Sequence, residues 1–562
     1  MKPRKLRGVV LCAGLVVAAA CHSEHPVPTQ LKARLAAVFH DEPSPDETRA
    51  ALLRQLRSAP GATTAFPSRQ TVDGFYAAHA HRLVWSGADG KPTPAATTLI
   101  AALRRAGEHG LNPEDYAASR LEMLDKELRG NGSAERLADF DLLATVSCFR
   151  YASDLATGRV HPDEVKSEWK SEAPGLDIGK PLDDALGSND IAPFLDSLPP
   201  QHPDYVRLRQ ALVKLREVEA AGGWPVIPAG PKMKSGSTDP RIGQLRQRLG
   251  VAPGDRFDAA LAQSVRRFQE LHGIDPDGVV SDATLAELNQ PAGDRIRQLE
   301  LNLERWRWIP RTLGDPHVLV NIPGFDLVLS RNGQAVWRTR VVTGKVFTPT
   351  PLFSDRIVAI VIHPPWNVPE SIAVNEYLPE LRKNRDALER HGLKVFEGSG
   401  DKAQEINPRS VNWDRVSEAK FPYRLRQDPG AENPLGQVKF DLTNDFQIYL
   451  HDTPGGRAFS RTERDLSHGC VRVENALELA NQIVSDDEKS AILAALEDPA
   501  EKHIALKAKI PVHIFYWTAW ADEAGDLHFG PDVYSFDAPQ RQALDKVAQK
   551  KAEARDIQRV GS

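Results

Sequence analysis

From residue 318 onward the hydrophobic residues fall into the two-residue period of half-buried strands. Val318, Val320 and Ile322 alternate, and Phe325, Leu327 and Leu329 alternate up to Asn332-Gly333. One apolar face per strand is what such spacing produces, and Asn-Gly suits a two-residue hairpin because both positions need positive φ. Ala335 to Thr343 returns from that turn, Ile357 to Ile362 is an unbroken apolar run, and Val512–Trp517 and Leu527–Phe529 flank a turn at Gly525. This half of the chain is therefore mostly β. The first half has a helical period instead: Leu52, Leu53 and Leu56; Leu99, Ile100 and Leu103 before Gly110; then Phe140, Ala144, Cys148, Tyr151 and Leu155; then Val206 to Val218. At 562 residues the chain should hold three or four domains.

Within the β half, Phe446, Ile448 and Leu450 alternate with Gln447, Tyr449 and His451, which predicts a strand ending at His451 with the imidazole opposite the apolar row. A polar loop, Thr453 to Leu466, leads to Ser467-His468-Gly469-Cys470-Val471-Arg472, and Val473, Leu477, Leu479, Ala480 and Ile483 read as a helix. Cys470 then stands at a loop-to-helix junction, where an imidazole and helix N-terminal N–H groups would favour a thiolate nucleophile. Gly469 allows close backbone approach, so N–H groups around Cys470 can face an oxyanion. The planar fork of Arg472 suits a carboxylate. Two plainer readings compete. A zinc site from His451, Asp452, His468 and Cys470 lacks the CxxC or HxxxH spacing of such sites. A buried structural cysteine does not need this company of strand, loop and arginine.

At these residues the sequence resembles the L,D-transpeptidases with a YkuD-type catalytic domain, in their large YcbB-like subgroup. The resemblance implies Cys470 as nucleophile, His451 as base, and Asp452 as the residue whose backbone carbonyl orients that base. It also implies Gly469 and His468 as backbone oxyanion donors and Arg472, Ser467 and Tyr449 as substrate-binding residues. His468 is not the base in this reading, since some members of the subgroup carry Ser there. The resemblance spans about residues 60 to 535. Tyr151-Ala152-Ser153-Asp154-Leu155 with Gly158-Arg159 resembles the subgroup's helical scaffold, assigned to 46–229 as structural support. Residues 230–292, from Leu245 and Leu249 through Phe268-Gln269 and Asp277-Gly278 to Leu285, resemble a three-helix peptidoglycan-binding domain that binds wall or merely docks. The catalytic domain is assigned to 316–535. The long connection between Trp366 and Val438 reads as charged and helical, and the resemblance makes its part at about 370–435 a lid beginning with Pro369-Glu370-Ser371-Ile372-Ala373-Val374. Residues 536–562 read as a solvated, charged helix and tail.

Residues 1–20 form a signal peptide, with Lys2, Arg4, Lys5 and Arg7 before the apolar stretch Val9–Ala20. Ala18-Ala19-Ala20-Cys21 resembles a lipobox, which makes Cys21 a lipidation site. His22 stands where an Asp would favour inner-membrane retention, so the expectation is an outer-membrane, periplasm-facing lipoprotein on a Pro-rich tether, 21–45. Only Cys148 and Cys470 then remain, in a compartment where thiols normally pair. Cys148, on its helical stripe, is expected to be buried and inert. A net charge of −5 gives no case for nucleic acid, and no cofactor or metal is called for. The expected function is cross-linking of peptidoglycan stem peptides through a cysteinyl thioester with release of D-Ala. The alternatives are an L,D-carboxypeptidase with water as acceptor and a non-catalytic wall-binding lipoprotein.

Overall fold

The structure is a computed structural model that describes residues 43–58, 67–130, 132–165, 169, 178–398, 402–419 and 421–560, with side chains described as far as 552. The expected signal peptide, Cys21 and nearly all of the tether lie outside these residues. Two units are formed, one within Met1–Arg104, Tyr116–Tyr151 and Ile178–Phe194, the other within Arg105–Asp115, Ala152–Asp177 and Leu195–Ser562.

The first unit is helical, with helices Pro45–Ser58, Arg69–Ala78, Pro94–Arg104, Ala118–Leu128 and Gly179–Gly187 and most of Ala134–Thr157. Asp141 is fully buried in it and accepts bonds from Trp85 N (2.7 Å), Val84 N (3.0 Å) and the Tyr76 hydroxyl (2.8 Å). Burial pushes its carboxyl up to about 6 against those donors. Two turns along the same helix Cys148 is also fully buried, and burial pushes its thiol up to about 12.

In the second unit, residues 227–288 build a small core of their own around Ile242, Leu245, Phe257, Val265 and Phe268. Its helices are Ile242–Arg248, Ala259–Leu271 and Asp282–Leu288. Gly278 takes φ +76°, and buried Gln269 clamps this Asp-Gly turn by accepting from Gly278 N (2.8 Å) and donating to Asp277 Oδ1 (2.8 Å). The following helix, Ala292–Trp306, buries Trp306 and runs into the C-terminal helix Asp537–Val560 through Arg305, which reaches Asp537 (2.6 Å) and Gln540 (2.8 Å). The C-terminal helix is docked along one side, with Gln540 fully buried and Leu544 nearly so, while Arg541, Asp545, Lys546 and Lys550 are solvated as its charge suggested.

The β half opens with β1 (His317–Asn321), β2 (Asp326–Arg331), β3 (Gln334–Gly344) and β4 (Phe353–Ile362). Asn332 and Gly333, both at positive φ, make the β2–β3 turn. An insertion follows with β5 (Trp366–Asn367), β6 (Leu393–Glu397), β7 (Gln404–Ile406) and β8 (Tyr423–Gln427). The main sheet resumes with β9 (Val438–Asp441), β10 (Leu450–His451), β11 (Asp465–Ser467), β12 (Val471–Val473) and β13 (Lys502–Phe515). A hairpin of β14 (Ala519–Ala521) and β15 (Leu527–Phe529) ends it. Neighbours run β11-β3-β12-β10-β9-β4-β13-β1-β2, and β2 pairs again with β3, so the sheet closes into a barrel. Closure pairs β1 to β4, β9, β10, β12 and β13 on both sides and leaves β11 paired with β3 alone. Val318, Val320, Leu327, Ile360, Phe440, Leu450, Val471 and Ile514 pack within its core.

The insertion is less helical than its composition implied. Helical turns cover Glu370–Lys383 and Ala387–Arg390, but the rest is built on an antiparallel sheet, β5-β8-β6-β7. It has its own core of Leu378, Leu381, Leu388, Val395, Trp413 and Leu425.

Candidate active site

β10 runs parallel to β12, with Leu450 opposite Val471 and His451 opposite Arg472, and antiparallel to β9, with His451 opposite Lys439. Leu450 and Val471 are fully buried in the barrel core. Successive side chains alternate faces, so Tyr449, His451, Cys470, Arg472 and Lys439 share the outer face. Strand pairing thus brings the sequence-distant cysteine and histidine onto one surface.

Two local expectations need correction. The strand predicted from Phe446 to His451 shrinks to Leu450–His451, because Asn444 makes a turn. Its Oδ1 accepts from Phe446 N (3.1 Å) and Ile448 N (3.2 Å), its Nδ2 donates to Ile448 O (2.9 Å), and Gln447 sits at φ +58°. Cys470 does not cap a helix either. It leads into β12, and the helix Ala476–Ile483 starts only after Asn475 at φ +56°. Helix N–H groups therefore give its thiolate no support, and burial pushes the half-buried thiol up. Hydrogen bonds from the Tyr449 backbone and hydroxyl, with Lys439 and Arg472, oppose that rise.

His451 is buried, and its Nδ1 lies 2.5 Å from the Asp452 carbonyl oxygen. A carbonyl only accepts, so Nδ1 carries the proton and Nε2 keeps its lone pair. Burial, then Arg472 and Lys439, hold its pKa down to about 3, and the imidazole is neutral at rest. The resting pair is thiol and imidazole. The Asp452 carboxylate is occupied elsewhere, accepting from Gln437 N at 2.9 Å.

The turn before the sulfur is held tightly. Ser467 Oγ donates to Cys470 O (2.6 Å) and accepts from Gly469 N (3.1 Å), while Thr350 Oγ1 donates to Gly469 O (2.7 Å). Gly469 has φ +119°, and a Cβ there would crowd Ile448 Cδ1 at 3.3 Å. The Gly469 N–H is thus spent on Ser467 rather than free for the oxyanion the motif predicted, and the Ser467 hydroxyl is spent within the same turn. Arg472 Nε is buried with no hydrogen-bond partner. His468 turns away from the sulfur's neighbours to meet Glu376 of the insertion, Nε2 to Oε1 at 2.6 Å. The four suggested zinc ligands do not converge, since His468 and the Asp452 carboxylate are engaged in these other directions. Sequence reasoning missed Glu376 and Lys439. The ammonium of Lys439 lies 4.9 Å from the Tyr449 ring centroid, and its place on the polar face was readable from the alternation Val438-Lys439-Phe440-Asp441.

A thiol, a neutral imidazole and a buried guanidinium donor thus stand on one face of the closed barrel. Comparison with known families identifies the domain that carries them: residues 315–502 match the L,D-transpeptidase catalytic domain, YkuD. Residues 243–288 match the family described as "Putative peptidoglycan binding domain", and 70–212 match the scaffold domain. A Haemophilus influenzae protein named "Putative L,D-transpeptidase" is 32% identical over 248 residues, which is 43% of this chain. The match spans about half, 48%, of that protein's length. Among solved structures, the L,D-transpeptidase of Xylanimonas cellulosilytica is 16% identical with a TM-score of 0.18, over 51% of this chain and 99% of its own. That of Stackebrandtia nassauensis is 13% identical with a TM-score of 0.21, over 52% and 96%.

Proposed function

We propose that the chain cross-links peptidoglycan by L,D-transpeptidation through a thioester on Cys470. The observation that carries this is the shared outer face of Cys470, His451, Tyr449 and Arg472. The donor is a stem peptide whose L-configured third-residue carbonyl is joined to D-Ala. As the sulfur attacks that carbon, His451 Nε2 takes the thiol proton, so the thiolate forms only as it is consumed. The Tyr449 hydroxyl and the Cys470 N–H face the developing oxyanion. The C–N bond breaks, and His451 returns its proton to the leaving D-Ala nitrogen. An amine of a second stem then gives a proton to His451 and attacks the thioester, forming the new amide as the C–S bond breaks, and His451 passes that proton to the leaving sulfur to restore thiol and imidazole. Arg472 Nε, a buried donor without a partner, costs about 1–3 kcal/mol while unpaired. A substrate carboxylate would satisfy it.

Incubating the protein with a defined tetrapeptide stem, with and without an amine acceptor, tests this reading by mass spectrometry. D-Ala release with a cross-linked product is expected. Release with water as the sole acceptor would make it a carboxypeptidase, and no release would leave a wall-binding protein. The basic, apolar and small-residue order of residues 1–20 before Cys21 supports export and lipid anchoring facing the periplasm. Several acyl chains hold a protein stably at a membrane, so Cys21→Ser should move it to the soluble fraction; retention on membranes would rule the anchor out.

A further inference from the structure

A cavity of about 540 Å³, within the usual range for ligand sites, lies on the outside of β1, β2 and β3, and none of its walls comes from β9 to β12. The chemistry of its walls is mixed in a particular way. Trp520 of β14 stacks one ring face on His528 (5.1 Å, 10°). Trp306 lies between His202 (5.0 Å) and Trp517 (4.3 Å), and its buried indole N–H has no hydrogen-bond partner. Around these rings stand two ion pairs, Asp326 with Arg338 and Asp204 with Arg207. Burial pushes both carboxyls up against their arginines. An aromatic platform ringed by paired planar acceptors and donors suits a ligand with one apolar face and many hydroxyls around its rim. Asp522 and Glu523 add further carboxylates to the rim, so the walls offer many hydrogen-bond acceptors beside the two guanidinium donors.

The hairpin that supplies Trp520 also carries the small three-helix module. Arg267 of that module reaches Asp526 (2.7 Å) and Asp522 (3.7 Å), and His272 lies against Phe529 (5.2 Å). A polymer held by the module therefore meets the cavity across one hairpin. We propose that this cavity is a saccharide subsite, one that holds an N-acetylated hexosamine unit of the glycan strand with Trp520 as its stacking platform. The choice of hexosamine rests on the peptidoglycan reading above, whereas the saccharide class rests on the cavity walls.

The test uses the full chain with Cys470→Ala, so that no transfer chemistry is needed. An N-acetylglucosamine tetrasaccharide and peptide-free glycan strands are titrated by calorimetry. Saturable binding is expected, weakened at least tenfold by Trp520→Ala and by Arg338→Gln. The same substitutions on the Cys470 background should leave thiol alkylation unchanged, which shows that the barrel is intact. Absence of tetrasaccharide binding at millimolar concentration overturns the subsite, as does a loss below tenfold in either variant. Tetrasaccharide binding here, with no D-Ala release by the unsubstituted chain in the stem-peptide assay, would sink the proposed reaction and leave the subsite standing.

Discussion

Burial pushes both described thiols up, but it leaves them in different company. Cys148 stands on an apolar helix stripe with its thiol at about 12, while Cys470 has the Tyr449 hydroxyl, Lys439 and Arg472 around it. Cys470→Ala should therefore reduce D-Ala release and cross-linking to background with an unchanged melting profile. Cys148→Ala should keep activity at a stability cost of about 1 kcal/mol from the small cavity left. Activity surviving in the first variant would end the nucleophile assignment. The raised Cys470 thiol also makes a kinetic statement. An ordinary thiol, at 9.0, begins to level in its alkylation rate near that pH. Alkylation of Cys470 by iodoacetamide should keep rising beyond it, and a plateau below pH 8 would mean a preformed thiolate.

At the scale of elements, the insertion meets the turn before Cys470 through the Glu376–His468 contact. If this contact holds the insertion closed, water is kept from the thioester and transfer wins over hydrolysis. Replacing 370–435 by a Gly/Ser link should then cut cross-linking far more than D-Ala release, and Glu376→Gln should shift the ratio the same way by a smaller factor. An unchanged product ratio in one mass-spectrometric assay would show that the insertion has no part in selection. What could be read from sequence here was what is local. The Asn332-Gly333 turn, the Asp277-Gly278 turn and the apolar runs of β1, β2 and β4 all announce themselves within a few residues. The insertion's sheet did not, because β8 buries Leu425 and Gln427 between outward Arg424 and Arg426, and one apolar side chain makes no visible alternation. The strand before His451 looked longer than it is since Asn444, not the alternation of Phe446 and Ile448, decides the backbone there. Cys470 was given a helix when Val471 and Val473, β-branched on either side of Arg472, marked a strand. The partner His468 takes, Glu376, comes from tertiary packing and leaves no mark in the sequence.

Over the whole second unit, buried histidines set a pH limit. Burial holds His109, His272 and His451 at about 3 and His202 and His513 at about 4, and lowers His317 as well. Each titrates near 6.5 when unfolded. Between these values the unfolded chain binds more protons than the folded one, so stability is intact above pH 7 and is lost as pH falls below 6.5. At pH 5 each such histidine costs at most about 2 kcal/mol. The raised carboxyls of Asp204 and Asp326 act in the opposite direction but are fewer. The thermal midpoint should drop by several degrees between pH 7.5 and 5.0; a midpoint that holds or rises would mean these imidazoles charge without unfolding.

Ile362 and Val438 are cross-strand partners at the end of the β4–β9 pair. An antiparallel pair needs only two to five residues to turn there, and this chain spends 363–437. Closing an unstructured loop of that length would cost only about 2–3 kcal/mol more than closing a tight turn, and this segment offsets the cost with a core of its own. The barrel is therefore indifferent to what hangs from that turn. Lineages sharing the barrel are free to lengthen, trim or exchange the segment without moving one strand's register. What approaches the sulfur can then diversify while the sulfur's own surroundings stay still.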